Sequence, residues 1–395
     1  MSVKDQWLLP EGIEEVLPPE AWNLECARRE LLDLFSRWGY ALVMPPFIEY
    51  LESLLTGSGT DLDLQTFKVT DQLTGRMMGL RADMTPQAAR IDAHPLQRDE
   101  PSRLCYMGTV LHTRADGFGS SRSPLQVGAE LFGHAGVESD VEILSLVLEC
   151  LSLMKIPDVH IDLGHVGIFR GLALEAGLSR QQESDLFEAL QRKAVTEIDE
   201  ILVSSSANEA QRGRLAALST LNGGREVLDA ARDQLAGASD NVLMALDNLC
   251  EIAALLEQGN SGLSLNFDLA ELRGYNYKTG MVFAIFVPGC GEEIARGGRY
   301  DAIGEVFGRA RPATGFSTDL KTLLDLGQRE YATPDSAIFA PADNDPALAA
   351  AVQQLRQSGE PVIRGLPGQA GDAGTMGCDR VLVEEKGDWV VKPAS

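Results

Sequence analysis

The residue run best equipped for chemistry is Arg296-Gly297-Gly298-Arg299-Tyr300-Asp301. Two glycines between two arginines would let the backbone approach an anionic ligand, although a plain turn would use the same residues. Gly117-Phe118-Gly119-Ser120-Ser121-Arg122 is half of a G-x-G-x-x-G fingerprint. It lacks the third glycine and the strand–turn–helix setting, so it reads as a polar hairpin loop. His160 and His165 lie near a strand end without convergent Cys or carboxylate spacing, which argues against a metal site. Glu14-Glu15, Glu292-Glu293 and Glu384-Glu385 are adjacent pairs whose side chains point apart, as solvated faces do and catalytic dyads do not. Cys26, Cys105, Cys150, Cys250, Cys290 and Cys378 show no C-x-x-C spacing. They read as small hydrophobes in a reducing compartment.

The elements that must position these residues are legible in outline. Glu20 to Trp38 has helical apolar spacing, ended by Gly39-Tyr40. Ala41 to Met44 reads as a buried strand stopped by Pro45-Pro46. Phe67–Thr70 and Met77–Arg81 flank the turn residues Asp71–Gly75, a hairpin pattern. A helix is expected from Pro86, with its proline in the first turn. Strands are expected over Leu104–Leu111 and Ser123–Phe132, and a long apolar helix over Glu138–Leu153. Residues 168–258, rich in Ala, Leu, Glu, Gln and Arg, read as a helical insertion. Strand patterns return at Leu263–Phe267 and Met281–Val287, with a hairpin hinge at Gly289-Cys290-Gly291. Ala313–Leu326 begins as a strand and becomes a helix. The pattern breaks around Glu330–Pro334, and the tail reads as a small α/β module with a closing hairpin at Arg380–Val391.

Length and composition bound the function. A chain of 395 residues has room for two or three domains, expected here as 1–330 and 335–395. Its net charge of −24 disfavours a general polyanion binder, because phosphate backbones are held by Lys and Arg. The first residues have no basic and apolar run of a secretory signal, and Leu144–Ile156 is far short of the ~20 residues a membrane span needs. A cytoplasmic chain is expected, with neither metal nor other cofactor.

The ordered ensemble is more specific than any part. Leu9-Pro10-Glu11-Gly12 and Leu17-Pro18-Pro19-Glu20-Ala21-Trp22 resemble the opening of histidyl-tRNA synthetases. Pro45-Pro46 after a strand resembles the dimer-forming first motif of class II synthetases. Leu80-Arg81-Ala82-Asp83-Met84-Thr85-Pro86-Gln87 resembles the segment that grips the histidine amino group, and Gln126-x-Gly128-x-Glu130 before Leu131-Phe132-Gly133 the next pocket strand. Arg273-Gly274-Tyr275-Asn276-Tyr277 resembles the histidine-specific signature, and Gly297–Asp301 with Gly315-Phe316 complete the series over residues 9–326. The resemblance implies an α+β fold: a class II antiparallel sheet with flanking helices, the helical insertion, and a small C-terminal α/β module. It also implies a histidine pocket. Asp83, Thr85 and Gln126 would hold the α-amino group, Arg273 the carboxylate, and Glu130 an imidazole N–H beside Tyr277.

The departures decide function. Counting back from Gln126 without gaps, the second motif's ATP-holding Arg and Glu are replaced by His112 and Arg114. The third motif's arginine is replaced by Thr322, with Lys321 in the preceding acid's slot. Adenylate formation needs fixed cations on the triphosphate, and one lost preorganised donor typically costs roughly 3–4 kcal/mol of barrier. Asp83 is one methylene shorter than the usual Glu, and Lys278 replaces the signature's second Tyr. A cation there would repel histidinium and favour neutral imidazole, or point to solvent.

A synthetase core that binds histidine without activating it resembles the regulatory subunits of ATP phosphoribosyltransferase. These share the Arg81–Gln87 wording, including Met84-Thr85-Pro86. The resemblance implies a non-catalytic subunit that activates a short-form catalytic subunit and mediates feedback inhibition by L-histidine. It also implies a homodimer within a hetero-octamer. The tail agrees, since Asp343, Asp345, Asp372 and Glu384-Glu385 suit RNA phosphates poorly, and only Phe339 and Trp389 offer stacking after Ser336. The alternatives are a divergent histidyl-tRNA synthetase, which would need ATP-dependent histidine activation, and a synthetase-like RNA sensor, which would need a basic track.

Overall fold

Sixteen strands carry the architecture among residues 7–55, 60–115, 121–259, 262–271, 274–275, 277–331 and 336–394, the residues described by the computed structural model. In chain order they are β1 (Ala41–Leu42), β2 (Ile48–Tyr50), β3 (Lys68–Thr70), β4 (Met77–Leu80), β5 (Ser102–Thr109), β6 (Leu125–Phe132), β7 (His160–His165) and β8 (Asn222–Gly223). There follow β9 (Ser264–Asp268), β10 (Met281–Phe286), β11 (Ala295–Arg299), β12 (Ala313–Asp319), β13 (Ile338–Ala340), β14 (Val362–Arg364), β15 (Arg380–Glu385) and β16 (Asp388–Pro393).

Nine of them form one sheet in the order β1-β5-β6-β12-β11-β10-β7-β9-β8. The middle is antiparallel, while β1/β5 and β7/β9 are parallel pairs, so the sheet is mixed rather than purely antiparallel. β6 is buried along nearly its whole length because both faces are covered. Directly opposed residues share a face. Cys105, Ala129 and Phe316 therefore point one way, toward the helices Glu20–Arg37 and Val137–Leu153, and Phe35 meets Phe316 edge to face at 6.3 Å. Tyr106, Gly128, Glu130, Gly315 and Gly298 line the other face.

On that second face, called the trough below, side chains lie directly on glycines. A Cβ at Gly128 would lie 2.5 Å from the Tyr106 ring, and one at Gly315 would overlap the Glu130 carboxylate. At Gly298, with φ +140°, it would overlap the Met281 carbonyl. The trough wall is an apolar cluster of Met84, Ala88, Leu104, Phe132, Tyr300 and Phe307. Met84 precedes the helix Thr85–Ile91, whose proline sits in the first turn as expected.

Two expectations need correction. The Ala41–Met44 strand is only β1, and Ala41 and Leu42 are exposed rather than buried, because β1 lies at a sheet edge with β5 on one side only. The insertion is not wholly helical. Its helices Val166–Glu175, Arg180–Gln191, Val195–Ser204, Glu209–Ala217, Glu226–Gln234 and Asp240–Gly259 are interrupted by β8, which extends the main sheet beside β9. Capping boxes at Ser179/Gln182 and Asn208/Gln211 start two of these helices. The hairpin β3–β4 forms as read and joins β2 in a three-stranded sheet.

The chain divides into two units, Leu24–Arg329 with the segment ending at Leu17, and Glu330 onward with Pro18–Asn23. In the second, β14-β13-β15-β16 form a sheet. The helix Pro346–Gln357 packs Leu348 and Val352 against Ile338, Val362 and Leu382. Trp389 donates its indole N–H to Asp345, the N-cap of that helix, at 2.7 Å.

Candidate functional site

The sharp turn between β4 and the helix Thr85–Ile91 presents Asp83 to the trough. Asp83 Oδ1 accepts the Thr85 N–H at 3.0 Å, an Asx turn, and the Gln126 Nε2 amide at 2.7 Å. Gln126 in turn accepts the Met84 N–H at 2.9 Å, so its amide clamps the turn to β6 from both ends. Gln126 thus braces Asp83, a role the sequence reading, which gave it the ligand's amino group, did not contain.

Two residues beyond Gly128 on β6, Glu130 is 1% exposed. Tyr106 donates its hydroxyl to Glu130 Oε1 at 2.8 Å, and Tyr300 donates to Oε2. Tyr106 has spent its proton on Glu130, so it accepts from the Thr85 hydroxyl at 3.0 Å. Asp83, Thr85, Gln126 and Glu130 are therefore gathered along one trough, and Thr85 and Glu130 are joined through Tyr106. A carboxylate has about four lone-pair positions, so Glu130 keeps acceptor capacity for a ligand N–H. Burial raises its pKa to about 7, against the two tyrosine bonds and Lys278, which lower it.

Tyr277 stands at the rim, 40% exposed. Lys278 does not point to solvent: it is 6% exposed, and burial lowers its pKa to about 8 while Glu130 pulls it back up. Arg273, the expected carboxylate partner, lies outside the described residues, as does the loop Gly117–Ser120. Tyr106 was missed altogether, and Tyr300 was singled out only as part of the Gly-rich run.

Arg296–Arg299 lies in β11 rather than in an anion loop, and a turn begins at Asp301. Gly297 is needed because a Cβ there would lie 2.5 Å from the Phe283 ring. Arg299 is buried on the far face, where it pairs with Asp140 at 3.0 Å and donates to the His134 and Gly136 carbonyls and the Ser139 hydroxyl. Arg296 alone of the two faces the trough, paired with Glu293 at 3.3 Å. His165 caps the helix Val166–Glu175 by accepting the Gly167 N–H, and burial drives its pKa down to about 4. His160 bonds Ser264 at 3.0 Å.

The positions expected to hold ATP are engaged elsewhere. His112 is buried with its ring bonded to the Ala82 carbonyl at 2.9 Å. Thr322 reaches Asp319, which caps its helix and also accepts the Leu125 N–H. Lys321 turns to Glu14 at 3.5 Å.

The mixed sheet, the trough and the small C-terminal sheet define a class II, histidyl-tRNA synthetase-like fold. A histidyl-tRNA synthetase family model matches residues 12–323, and one for the ATP phosphoribosyltransferase subunit HisZ C-terminal domain matches residues 335–392. Among solved structures, an ATP phosphoribosyltransferase regulatory subunit/histidyl-tRNA synthetase from Bacillus halodurans superposes with TM-score 0.82 at 26% identity, covering 94% of this chain and 95% of that one. A histidyl-tRNA synthetase from Nostoc superposes with TM-score 0.75 at 20% identity, over 95% of this chain and 91% of that one, a likeness of fold. The ATP phosphoribosyltransferase regulatory subunit of Thioalkalivibrio sulfidiphilus is 61% identical over 392 residues, 99% of both chains, and that of Pseudomonas syringae pv. syringae 59% over 394, covering 100% of this chain and 99% of that one. The chain belongs to the family of ATP phosphoribosyltransferase regulatory subunits, proteins of histidine biosynthesis. No helix among the described residues is long and apolar enough to cross a membrane.

Proposed function

We propose that the chain is a non-catalytic cytoplasmic subunit that binds L-histidine in the trough, activates a short-form ATP phosphoribosyltransferase catalytic subunit, and carries feedback inhibition to it. In this reading Asp83 and Thr85 receive the ammonium, Gln126 holds Asp83 in place, Glu130 accepts the imidazole N–H beside Tyr277, and Arg273 is the partner of the carboxylate. The observation that carries the reading is a contrast within one site. The acceptor network Asp83–Gln126 and Thr85–Tyr106–Glu130 is intact, while His112 and Thr322 stand where ATP-holding arginines are expected and are bonded to the protein itself. An imidazole already bonded to a backbone carbonyl and a hydroxyl do not replace the fixed forks of two arginines at a departing pyrophosphate.

Histidine then acts by favouring one arrangement of the complex over another, a coupling typically worth about 1–3 kcal/mol. Homodimer formation within a hetero-octamer is supported by the exposed Leu42, Met44, Phe47, Ile48, Val69 and Met77 around β1–β4. The test is histidine-dependent ATP–pyrophosphate exchange on the folded chain, with histidine binding measured calorimetrically on the same sample. Binding without exchange is expected. Clear exchange would make the protein a working synthetase, and absence of binding would move the effector site elsewhere.

A further inference from the structure

Lys278 follows the rim tyrosine in sequence, yet it is buried. A tight turn aims it inward. Gly274 has φ +73°, a conformation that favours glycine, and its carbonyl accepts the Lys278 N–H at 2.8 Å. The Lys278 carbonyl accepts from Arg170 at 3.1 Å, which fixes the other side of the residue. The ammonium ends 5.3 Å from the ring centroids of both Tyr277 and Tyr300. Tyr300 is the phenol whose hydroxyl is held by Glu130. Ammonium and carboxylate thus flank one ring inside a closed wall, where either charge alone would be costly. The remaining charged groups around Lys278 are Asp83 from the turn after β4, Arg296 from β11 and Asp140 from the helix Val137–Leu153. The phenols of Tyr277 and Tyr300 are the rings it lies over. Among these charges Glu130 acts most strongly on Lys278.

We propose that Lys278 is the specificity-determining residue that makes the pocket accept a neutral five-membered heterocycle and exclude a cationic one. The proposal rests on the histidine reading of the site. Glu130 needs one ring N–H from its ligand, and a neutral imidazole supplies it. An imidazolium would bring a second positive charge beside a buried ammonium that already balances Glu130. Removing the ammonium removes the repulsion, so the pocket no longer separates the two ring charges.

The experiment compares histidine with its triazole analogue, whose ring stays neutral, by calorimetry on the full chain between pH 7.5 and 5.5. The triazole serves as the control for pH effects on the protein that both ligands share. With an imidazole pKa of about 6.5, the neutral fraction of histidine falls about tenfold over this range. In the unmodified chain histidine should therefore lose about tenfold against the triazole. In Lys278→Met, checked for folding by its melting transition, that loss should shrink or vanish, and Lys278→Gln provides a polar second variant. A flat ratio in the unmodified chain overturns the proposal, and so does a tenfold loss preserved in both variants. Failure of the unmodified chain to bind either compound overturns the histidine reading instead.

Discussion

Replacing Glu130 by Gln keeps the shape of the side chain and removes its charge, and the structure determines how the consequence depends on pH. The carboxyl pKa rises from 4.5 to about 7 in the folded chain. Between those values the folded state holds a proton that the unfolded state has released. This group therefore lowers stability as pH climbs from 4.5 to 7, and its cost is constant above that. A shift of this size corresponds to roughly 3 kcal/mol at full development. The amide introduced by Glu130→Gln cannot accept from both Tyr106 and Tyr300, since one of its ends is a donor, and a protonated carboxyl is limited in the same way. At pH 5 the parent carboxyl is already mostly protonated, so acid and amide match and the variant should melt within a few degrees of the parent. At pH 8 the parent carries its buried charge, whose cost already includes the two tyrosine bonds, so the variant should be the more stable by up to about 3 kcal/mol. Histidine binding should weaken roughly 10- to 150-fold at pH 8, where the ring N–H loses a charged acceptor, and less at pH 5. Thermal melts at pH 5 and 8 with calorimetric titrations measure both effects. A melting difference that does not change with pH would refute the assignment of the stored cost to the Glu130 charge.

Gly315→Ala would place a methyl group over the Glu130 carboxylate and 2.7 Å from the Ala129 carbonyl oxygen. Overpacking of this kind costs about 1–3 kcal/mol, so a lowered melting temperature together with weakened histidine binding is expected, and unchanged binding would remove Gly315 from the pocket floor. Arg299→Met leaves the Asp140 carboxylate buried without its cation, a loss of about 3–5 kcal/mol by denaturant titration. A loss below about 1 kcal/mol would show that solvent reaches Asp140.

The parts of this fold that were legible from sequence are those where one signal sufficed. The β3–β4 hairpin was marked by turn residues at Asp71–Gly75, and the closing hairpin of the small module at Arg380–Val391 forms as β15–β16. β1 misled because an apolar run says nothing about whether a strand has neighbours on both sides, and β8 because two residues carry no period. At the site, Asp83, Thr85, Gln126 and Glu130 came from wording in order along the chain, and their being brought to one trough follows from β6 register and the turn before the helix Thr85–Ile91. Tyr106 and Tyr300 left no such mark. Each is a buried aromatic whose meaning lies in one hydroxyl proton, directed at a carboxylate 24 and 170 residues away. Lys278 is the sharper case. By composition a lysine belongs on the surface, and only the turn at Gly274 and the phenol of Tyr300 reverse that expectation. The same three side chains set the charge of the pocket, because Tyr106 and Tyr300 stabilise the ionised form of Glu130 and Lys278 balances it. Sequence wording located the acceptors for a ligand and raised Lys278 as a charge beside them, but whether that charge faces the pocket or solvent, and that two tyrosines hold Glu130, became visible only once the strands were laid side by side.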